Sequence, residues 1–213
     1  MRSPLLLTLA LTLAGCNLVE QPTRMLPLET RNWRDIASSS DRERLRDWRS
    51  TFVKALAAAK RDHGAEIERE GALLQPDAAL GGAPIPNGMY RCRVIKVGAK
   101  SEGLLDYVSY PAFSCRITPE NGLQKFRKLS GSQRQVGIIF PGDPLRQVFL
   151  GTLALGDELG ALQYGLDRTR NVAGYVERIG PNRWRLLMPQ PHFESQLDVM
   201  ELIPASPSPG AQS

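Results

Sequence analysis

The sequence predicts a mainly β fold with an N-terminal helix, its β part forming a small antiparallel β-barrel of about eight strands. Two observations lead to this prediction. From residue 89 onward, short aliphatic and aromatic runs alternate with turn sequences at intervals of about ten residues. No helical pattern separates these runs, which indicates an antiparallel meander. Because a small sheet must close or cover its edge strands, a barrel is favoured, and a two-sheet sandwich is the alternative.

Nine segments fit strands by apolar alternation or by short apolar runs. Turn chemistry separates them, for example Glu120-Asn121-Gly122, Pro141-Gly142-Asp143 and Gly180-Pro181-Asn182. We therefore place an antiparallel β domain at residues 87–204. The expected strands cover residues 89–97, 112–118, 124–129, 133–140, 145–154, 161–166, 172–179, 183–188 and 197–203.

The preceding residues, 33–86, predict one helix of about twenty residues and a connection to the β domain. Ser40-Asp41-Arg42-Glu43 has the capping-box pattern, and Gly64 marks the expected end of the helix. We expect its apolar stripe to pack on the β domain. A helix lying in a membrane interface is the alternative, which the acidic residues on its polar face disfavour. The stripe consists of Leu45, Trp48, Phe52, Leu56 and Ala59.

The N-terminus predicts a signal peptide at residues 1–15, since its uncharged run from Leu5 to Leu13 is too short to span a bilayer. The run ends in Leu13-Ala14-Gly15-Cys16, which resembles the lipobox of bacterial lipoproteins. That resemblance implies that Cys16 carries the lipid that anchors the chain to a membrane, and that residues 16–32 form a tether. Asn17 stands where an aspartate would retain a bacterial lipoprotein in the inner membrane, so the same resemblance implies the outer membrane, facing the periplasm, with an outward-facing location as the alternative.

Composition predicts a single domain without a nucleic-acid partner. The 213 residues carry a formal charge of +5, a bias too weak to indicate nucleic-acid binding. What remains after the signal peptide is enough for one domain with a sizeable core. The last residues, 205–213, are rich in Pro, Ser and Gly and predict a disordered tail.

Two cysteines remain once Cys16 is lipidated, and in an oxidising compartment Cys92 and Cys115 predict a disulfide. Each lies in the pattern aromatic, polar, Cys, Arg, aliphatic, so the strand period of two points both sulfurs to the inner face. A redox-active or metal-binding pair is the alternative. Only His63 and His192 offer further imidazole ligands, and we expect no metal and no cofactor.

Basic residues next to the cysteines define a candidate binding strip. If the cysteines face inward, these residues fall on the outer face, where they would meet anionic lipid head groups, lipopolysaccharide or an acidic protein; a solvated face is the plainer interpretation. Gly131-Ser132-Gln133-Arg134 adds a loop whose backbone amides would suit an anion, with a simple hairpin turn as its alternative. The strip comprises Arg91, Arg93, Arg116 and Arg134, with Lys96.

Several motifs along the chain resemble a known family. Among them are Gly71-Ala72-Leu73-Leu74, Gly88-Met89-Tyr90-Arg91-Cys92-Arg93, Gly131-Ser132-Gln133-Arg134, Gly156-Asp157-Glu158 and Arg183-Trp184-Arg185-Leu186. Together they resemble bacterial envelope proteins grouped as domain-of-unknown-function family 4893. The resemblance implies one domain and an envelope location, and it implies no activity.

These features favour a non-enzymatic lipoprotein of the cell envelope whose β domain binds an envelope protein or an anionic envelope ligand. The alternative is an envelope hydrolase acting on peptidoglycan or lipid through Asp157, Glu158 or Asp167. Such carboxylates should line a deep cleft and have raised pKa values, whereas in a binding protein they should lie on exposed turns. His192 lies in an irregular connection, and we assign no catalytic residue.

Overall fold

The computed structural model describes residues 31–205, which form a β-barrel with helices on its outside. The predicted signal peptide, Cys16 and nearly all of the predicted tether and tail lie outside these residues, so those features stay predictions. Within residues 31–205, no helix is long and apolar enough to cross a bilayer.

Three helices precede the barrel, and the main one runs further than predicted. Gly64 lies inside this helix, which bends at His63 (φ −127°) and ends where Gly71 adopts a φ of +56°. A glycine within a helix costs about 1 kcal/mol. Burial of Ile67 in the next turn offsets that cost and explains why the predicted end was wrong. The helices are α1 (Trp33–Ile36), α2 (Ser39–Arg46) and α3 (Trp48–Glu70), followed by a 3-10 turn at Gly71–Leu74.

The N-terminal cap of α2 lies two residues before the predicted one. The Ser38 hydroxyl accepts a hydrogen bond from the backbone N–H of Asp41 at 3.1 Å and donates one to its carboxylate at 2.7 Å. Asp41 is fully buried, and one oxygen of its carboxylate also accepts hydrogen bonds from Asn171 and from the Tyr164 hydroxyl. These contacts with the barrel select Ser38 over the predicted Ser40 as the cap.

The strands close into a barrel, as predicted, and this excludes the two-sheet sandwich. From β3 to β9 each strand pairs antiparallel with the next, and β3 also pairs with β1. β9 then pairs with β1, from Tyr90 opposite Pro204 to Ala99 opposite Ser195. The strands are β1 (Gly88–Ala99), β2 (Tyr107–Ser109), β3 (Phe113–Glu120), β4 (Leu123–Lys128), β5 (Gln133–Phe140), β6 (Arg146–Leu155), β7 (Asn171–Gly180), β8 (Arg183–Pro189) and β9 (Ser195–Pro204).

One predicted strand is wrong and one strand was missed. Residues 161–166 form turns between β6 and β7, in which Leu162 and Leu166 are exposed while Tyr164 packs against the cap of α2. Alternation alone therefore imitated a strand there. The missed strand, β2, has only three residues and pairs with the second half of β1, where β1 has already parted from β3.

The barrel interior is filled by one face of each strand, and the predicted disulfide lies there. Cys92 on β1 and Cys115 on β3 are bonded, with their Cα atoms 5.9 Å apart, and both are fully buried. Tyr90 and Ile117 share the same interior cluster, as the period of two predicts. The disulfide links strands that are hydrogen-bonded neighbours, so it braces the wall of the barrel.

The helices cover much of the outer wall. The predicted apolar stripe of α3 is confirmed: Phe52 and Ala59 are fully buried against apolar residues of β1, β8 and β9. Leu45 of α2 and Trp33 of α1 bury a second patch formed by β4 to β7. The stripe is thus used in packing, which contradicts the alternative of a helix lying in a membrane interface. Two layers of apolar contacts, inside and outside the wall, hold this fold together.

The two ends of the barrel differ, and we call them the closed end and the mouth. At the closed end the segment before β1 covers the interior with Ile85, which is 1% exposed. Its backbone is held by Gln147 and Gln124, which bond its N–H and carbonyl at 2.9 and 2.7 Å. At the mouth the wall ends near Lys96 of β1 and Lys128 of β4, where a cavity enters the interior.

Candidate functional site

A polar cavity of about 130 Å³ opens at the mouth of the barrel. Its floor adjoins the apolar interior, because the inward faces of β1, β4, β5 and β9 change from apolar to polar residues near this end. A small barrel of this kind has room for side chains or for one small ligand. The cavity is lined by Val94, Lys96, Tyr110, Phe113, Lys128, Ser132, Gln133, Gln135, Glu194 and Asp198.

Lys128 is a buried lysine that forms none of the ion pairs found among residues 31–205. Only 5% of it is exposed; its ammonium donates a hydrogen bond to the Gln133 carbonyl at 2.9 Å and lies 3.8 Å from the centre of the Phe113 ring. Burial, followed by the positive charges of Arg134 and Lys96, lowers the pKa of Lys128 to about 8. The group is still mainly charged at neutral pH, and its charge is poorly compensated.

Lys96 differs from Lys128 in having carboxylate partners. Its ammonium lies 3.2 Å from a carboxylate oxygen of Asp198 and 3.2 Å from one of Glu194. Burial lowers the pKa of Lys96, but these two carboxylates outweigh burial and the net pKa is raised. Asp198 also accepts a hydrogen bond from the Ser195 hydroxyl. On this wall of the cavity, the charged groups of Lys96, Asp198 and Glu194 are therefore paired with one another in a network that fixes their positions.

Gln135 leaves an acceptor without a partner in the same cavity. The residue is 3% exposed, and its side-chain oxygen has no hydrogen-bond partner among the residues that the structure describes. Arg127 is opposite Val136 in the pairing of β4 with β5, so the next positions along the ladder, Lys128 and Gln135, are neighbours. Buried polar groups are nearly always satisfied, so an orphaned oxygen beside a poorly compensated cation is unusual.

Gly131 leaves room for the Lys128 side chain. Its φ of +91° is a conformation that glycine adopts readily, and a Cβ atom there would lie 2.8 Å from the Lys128 Nζ and 3.0 Å from the Phe113 ring. Ser132 and Gln133 from the same turn line the cavity. Arg134 donates hydrogen bonds to the carbonyls of Gly131 and Glu158, at 2.8 and 2.7 Å. The predicted anion loop is therefore a hairpin turn that shapes the cavity.

The predicted basic strip does not form as a continuous surface. Lys96 points inward, contrary to the prediction, and Arg93 is paired with Glu70 of α3 and Glu201 of β9. Arg91 and Arg116 are exposed. Helix α3 covers the outer wall of β1, so Arg93 forms a structural ion pair with this helix instead of facing solvent. The strand pattern alone does not predict that helix contact.

The three candidate carboxylates lie on the loop between β6 and β7, outside the mouth cavity. The hydrogen bond from Arg170, 2.6 Å long, and one from the backbone of Leu155 hold the pKa of Glu158 below its usual value. Asp167 accepts hydrogen bonds from Thr169, which lower its pKa in turn. Asp157 is exposed. A general acid needs the opposite pKa shift.

The two histidines are placed at the periphery. His192 is exposed and its Nε2 lies 3.1 Å from the Arg44 guanidinium; burial and the charge of Arg44 lower its pKa. His63 stacks on Tyr107 at the bend of α3. Within the described part of the chain, no group of three His, Cys, Asp or Glu side chains is placed to hold a metal ion.

The loops around the mouth carry most of the exposed large apolar side chains of the described chain. The closed end has fewer, namely Leu80, Met89 and Leu145. Single exposed apolar residues are ordinary, but their concentration at one end distinguishes that end as a contact surface. Those at the mouth are Leu104, Leu105, Tyr110, Leu129, Leu159, Leu162, Leu166 and Phe193.

Comparison with known proteins gives one match. A family model described as "Domain of unknown function (DUF4893)" matches residues 33–202. No curated protein and no solved structure matches the chain. The matched range covers all three helices and nearly the whole barrel, including every residue that lines the mouth cavity.

Proposed function

Since this chain belongs to the DUF4893 family, a domain of unknown function, we propose a role from its own geometry: a membrane-anchored lipoprotein of the cell envelope whose barrel is a non-enzymatic binding module. The ligand occupies the mouth cavity and is anionic. The observation that carries this proposal is the charged, buried Lys128 with no ion-pair partner among residues 31–205.

A buried charge without a counter-ion is costly, and proteins that keep one normally use it. Replacing Lys128 by an apolar residue would remove that cost, so its presence needs a compensating role. An anion entering the cavity would supply the missing charge and would restore the pKa of Lys128 toward its usual value. The neighbouring pair of Lys96 and Asp198 is already satisfied and would keep its position while the ligand binds.

Membrane anchoring is the second part of the proposal. It is supported by the sequence around Cys16, which has the small residues and the preceding apolar run of a lipobox. The disulfide between Cys92 and Cys115 fits an oxidising compartment outside the cytoplasm. Acyl chains contribute about 0.8 kcal/mol per buried methylene, so a lipidated Cys16 is enough to hold the domain at a membrane.

Hydrolysis receives less support from the geometry. Glu158 and Asp167 have lowered pKa values and accept hydrogen bonds from neighbouring groups of their own loop. Both carboxylates stay ionised at neutral pH, so neither can donate the proton that a leaving group requires. Binding in the mouth therefore accounts for more of the structure than hydrolysis on the loop.

The binding proposal is tested by the reactivity of Lys128 toward an amine-acylating reagent. A lysine with a pKa of about 8 holds more neutral amine than an ordinary lysine, so it should react quickly in purified, dialysed lipoprotein. In intact envelopes a bound ligand should protect it. Lys125, on the outer face of the same strand and 3.6 Å from Glu120, is the matched control. Peptide mass spectrometry measures both lysines.

Equal acylation of Lys128 in envelopes and in dialysed protein would contradict occupancy of the mouth. Anchoring is tested separately with Cys16→Ser, which should move the protein from the membrane fraction to the soluble fraction. Unchanged fractionation of that variant would contradict lipid anchoring and would leave the binding proposal untouched.

A further inference from the structure

We propose that the mouth cavity binds an N-acylated amino-acid carboxylate, the chemical group found at the C-terminus of a peptide. This inference rests on the proposed binding function and specifies its ligand class. Three features of the cavity carry it, a cation, an unpartnered acceptor and an apolar wall, and they lie on neighbouring strands.

The cation selects an anionic acceptor. Lys128 has three N–H donors, one of which bonds the Gln133 carbonyl at 2.9 Å while the Phe113 ring lies on another side. The remaining donor capacity is available to a carboxylate, and charge-assisted hydrogen bonds of this kind are the strong ones. The carboxylates of the cavity, Asp198 and Glu194, are both bound to Lys96.

The acceptor selects a donor on the same ligand. The Gln135 side-chain oxygen is buried without a partner in residues 31–205, and the β4–β5 register places Gln135 beside Lys128. A ligand that satisfies both must carry an anionic oxygen and an N–H or O–H group a few atoms apart. Acetate and phosphodiesters lack the donor, so they would leave Gln135 unsatisfied.

The wall selects an apolar substituent. Val94 and Phe113 line one side of the cavity, and Tyr110 lies at its edge. Inorganic phosphate has hydroxyl donors but no apolar group that could pack against Val94 and Phe113. An N-acylated amino acid has a carboxylate, an amide N–H two bonds from the carboxyl carbon, and a side chain on the carbon between them, so it matches all three features.

The acyl group of the bound ligand would extend out through the opening of the cavity. In a peptide ligand, the rest of the chain would therefore remain outside the barrel. The exposed apolar residues Leu104, Leu105 and Leu129 lie on loops at this end and would contact that outer part of the peptide. The cavity of about 130 Å³ itself accommodates only a terminal residue. We therefore infer recognition of a chain end rather than of an internal segment.

The test uses the full-length lipoprotein in detergent micelles and calorimetric titration with five probes. These are N-acetylalanine in each enantiomer, O-acetyl-lactate, N-acetylalanine amide and inorganic phosphate. O-acetyl-lactate differs from N-acetylalanine only by an ester oxygen in place of the N–H. We expect it to bind about tenfold more weakly, and the amide, which lacks the carboxylate, to bind more weakly by at least the same factor.

Variants assign these losses to residues. Gln135→Leu should make N-acetylalanine and O-acetyl-lactate bind equally, because the group that distinguishes them is gone. Lys128→Met should abolish binding of both carboxylates, whereas Lys125→Met, on the outer face of the same strand, should bind like the native protein. Circular dichroism checks that each variant is folded, so a loss of binding can be assigned to the substituted group.

Tighter binding of phosphate than of either N-acetylalanine enantiomer would overturn this inference, as would equal binding of N-acetylalanine and O-acetyl-lactate to the native protein. Neither result would contradict the proposed binding function if Lys128 is protected from acylation in envelopes, because that protection does not depend on which ligand is bound. Loss of that protection would remove the binding function itself.

Discussion

The closed end and the mouth are built from the same eight strands but differ in how their buried polar side chains are partnered. At the closed end, the Tyr90 hydroxyl donates to the Pro86 carbonyl at 2.6 Å, and Gln147 accepts from the Ile85 N–H. At the mouth, within residues 31–205, Lys128 has no ion-pair partner and the Gln135 oxygen has no hydrogen-bond partner. The closed end also has a buried donor without a hydrogen-bond partner among the described residues, the Trp184 indole N–H, but the buried charge without a counter-ion lies at the mouth.

Stability and function are thus assigned to opposite ends of this fold. Satisfied polar groups and apolar filling stabilise the folded state, whereas unsatisfied ones reduce its stability unless a ligand completes them. Substitutions at the closed end should therefore destabilise the protein, and matching substitutions at the mouth should stabilise it while removing binding. The predictions below test this opposition, beginning with the largest effect.

Ile85→Ala should lower the free energy of unfolding by about 3 kcal/mol, because it leaves a void under the segment that covers the closed end. Ile85 is 1% exposed and belongs to the interior cluster. Urea denaturation measures the change. Leu105→Ala, on an exposed loop at the mouth, is the control and should change stability by less than about 0.5 kcal/mol. Equal losses in the two variants would contradict the closed end as the stabilising one.

Lys128→Met should raise the free energy of unfolding at pH 7 by about 2 kcal/mol. The pKa of Lys128 is about 8 in the folded protein and about 10.5 in an unfolded chain, and this shift corresponds to about 3.5 kcal/mol. Loss of the hydrogen bond to the Gln133 carbonyl and of the Phe113 contact offsets about 1.5 kcal/mol of that gain. Methionine fills the same space without a charge. Lys125→Met, which removes an ion pair on the outer face, should have little effect.

The pH dependence provides an independent check on Lys128. Between pH 8 and 10.5 the unfolded chain holds this proton more tightly than the folded protein, so the destabilisation due to Lys128 should diminish as the pH rises across that window. The advantage of Lys128→Met should shrink over the same range. Lys96, whose charge helps to lower this pKa, has a raised pKa of its own and so stays charged in most of that window. A constant advantage would contradict the shifted pKa.

The barrel and its disulfide could be predicted because they rest on local signals. Turn residues marked most strand ends, and the identical surroundings of Cys92 and Cys115 fixed the face to which both sulfurs point. Boundaries that depend on distant contacts failed. The cap at Ser38 is selected by Tyr164 and Asn171, which are more than a hundred residues away along the chain.

The mouth was missed for a related reason. In β1 the alternation continues past Cys92 and Val94 to Lys96, but the intervening Ile95 and Val97 are apolar as well, because α3 covers the outer wall. Two apolar faces hide the period, so Lys96 was assigned to the outer face. Lys128 carried a usable signal, since it follows the buried Phe126 by two residues.

A single type of substitution compares the two ends directly. Gln147→Leu should lower the free energy of unfolding by about 1 kcal/mol, because the Ile85 N–H loses its acceptor. Gln135→Leu should raise it by about 1 kcal/mol, because an unsatisfied buried oxygen is removed. Chemical denaturation of both variants gives the two signs. The same sign in both would mean that the ends are not opposites.

The smallest effect should come from the loop that carries Glu158. The Glu158 carboxylate is held by Arg170 and has a lowered pKa, so it is ionised at neutral pH. Its contribution to the stability of the loop should be lost only on acidification, as the pH falls through that lowered pKa. Because it lies outside the mouth cavity, Glu158→Gln should leave the titration with N-acetylalanine unchanged. A hydrolase would respond differently: the same variant would lose turnover of peptidoglycan fragments. If the native protein cleaves these fragments and Glu158→Gln does not, the functional site is this loop and not the mouth.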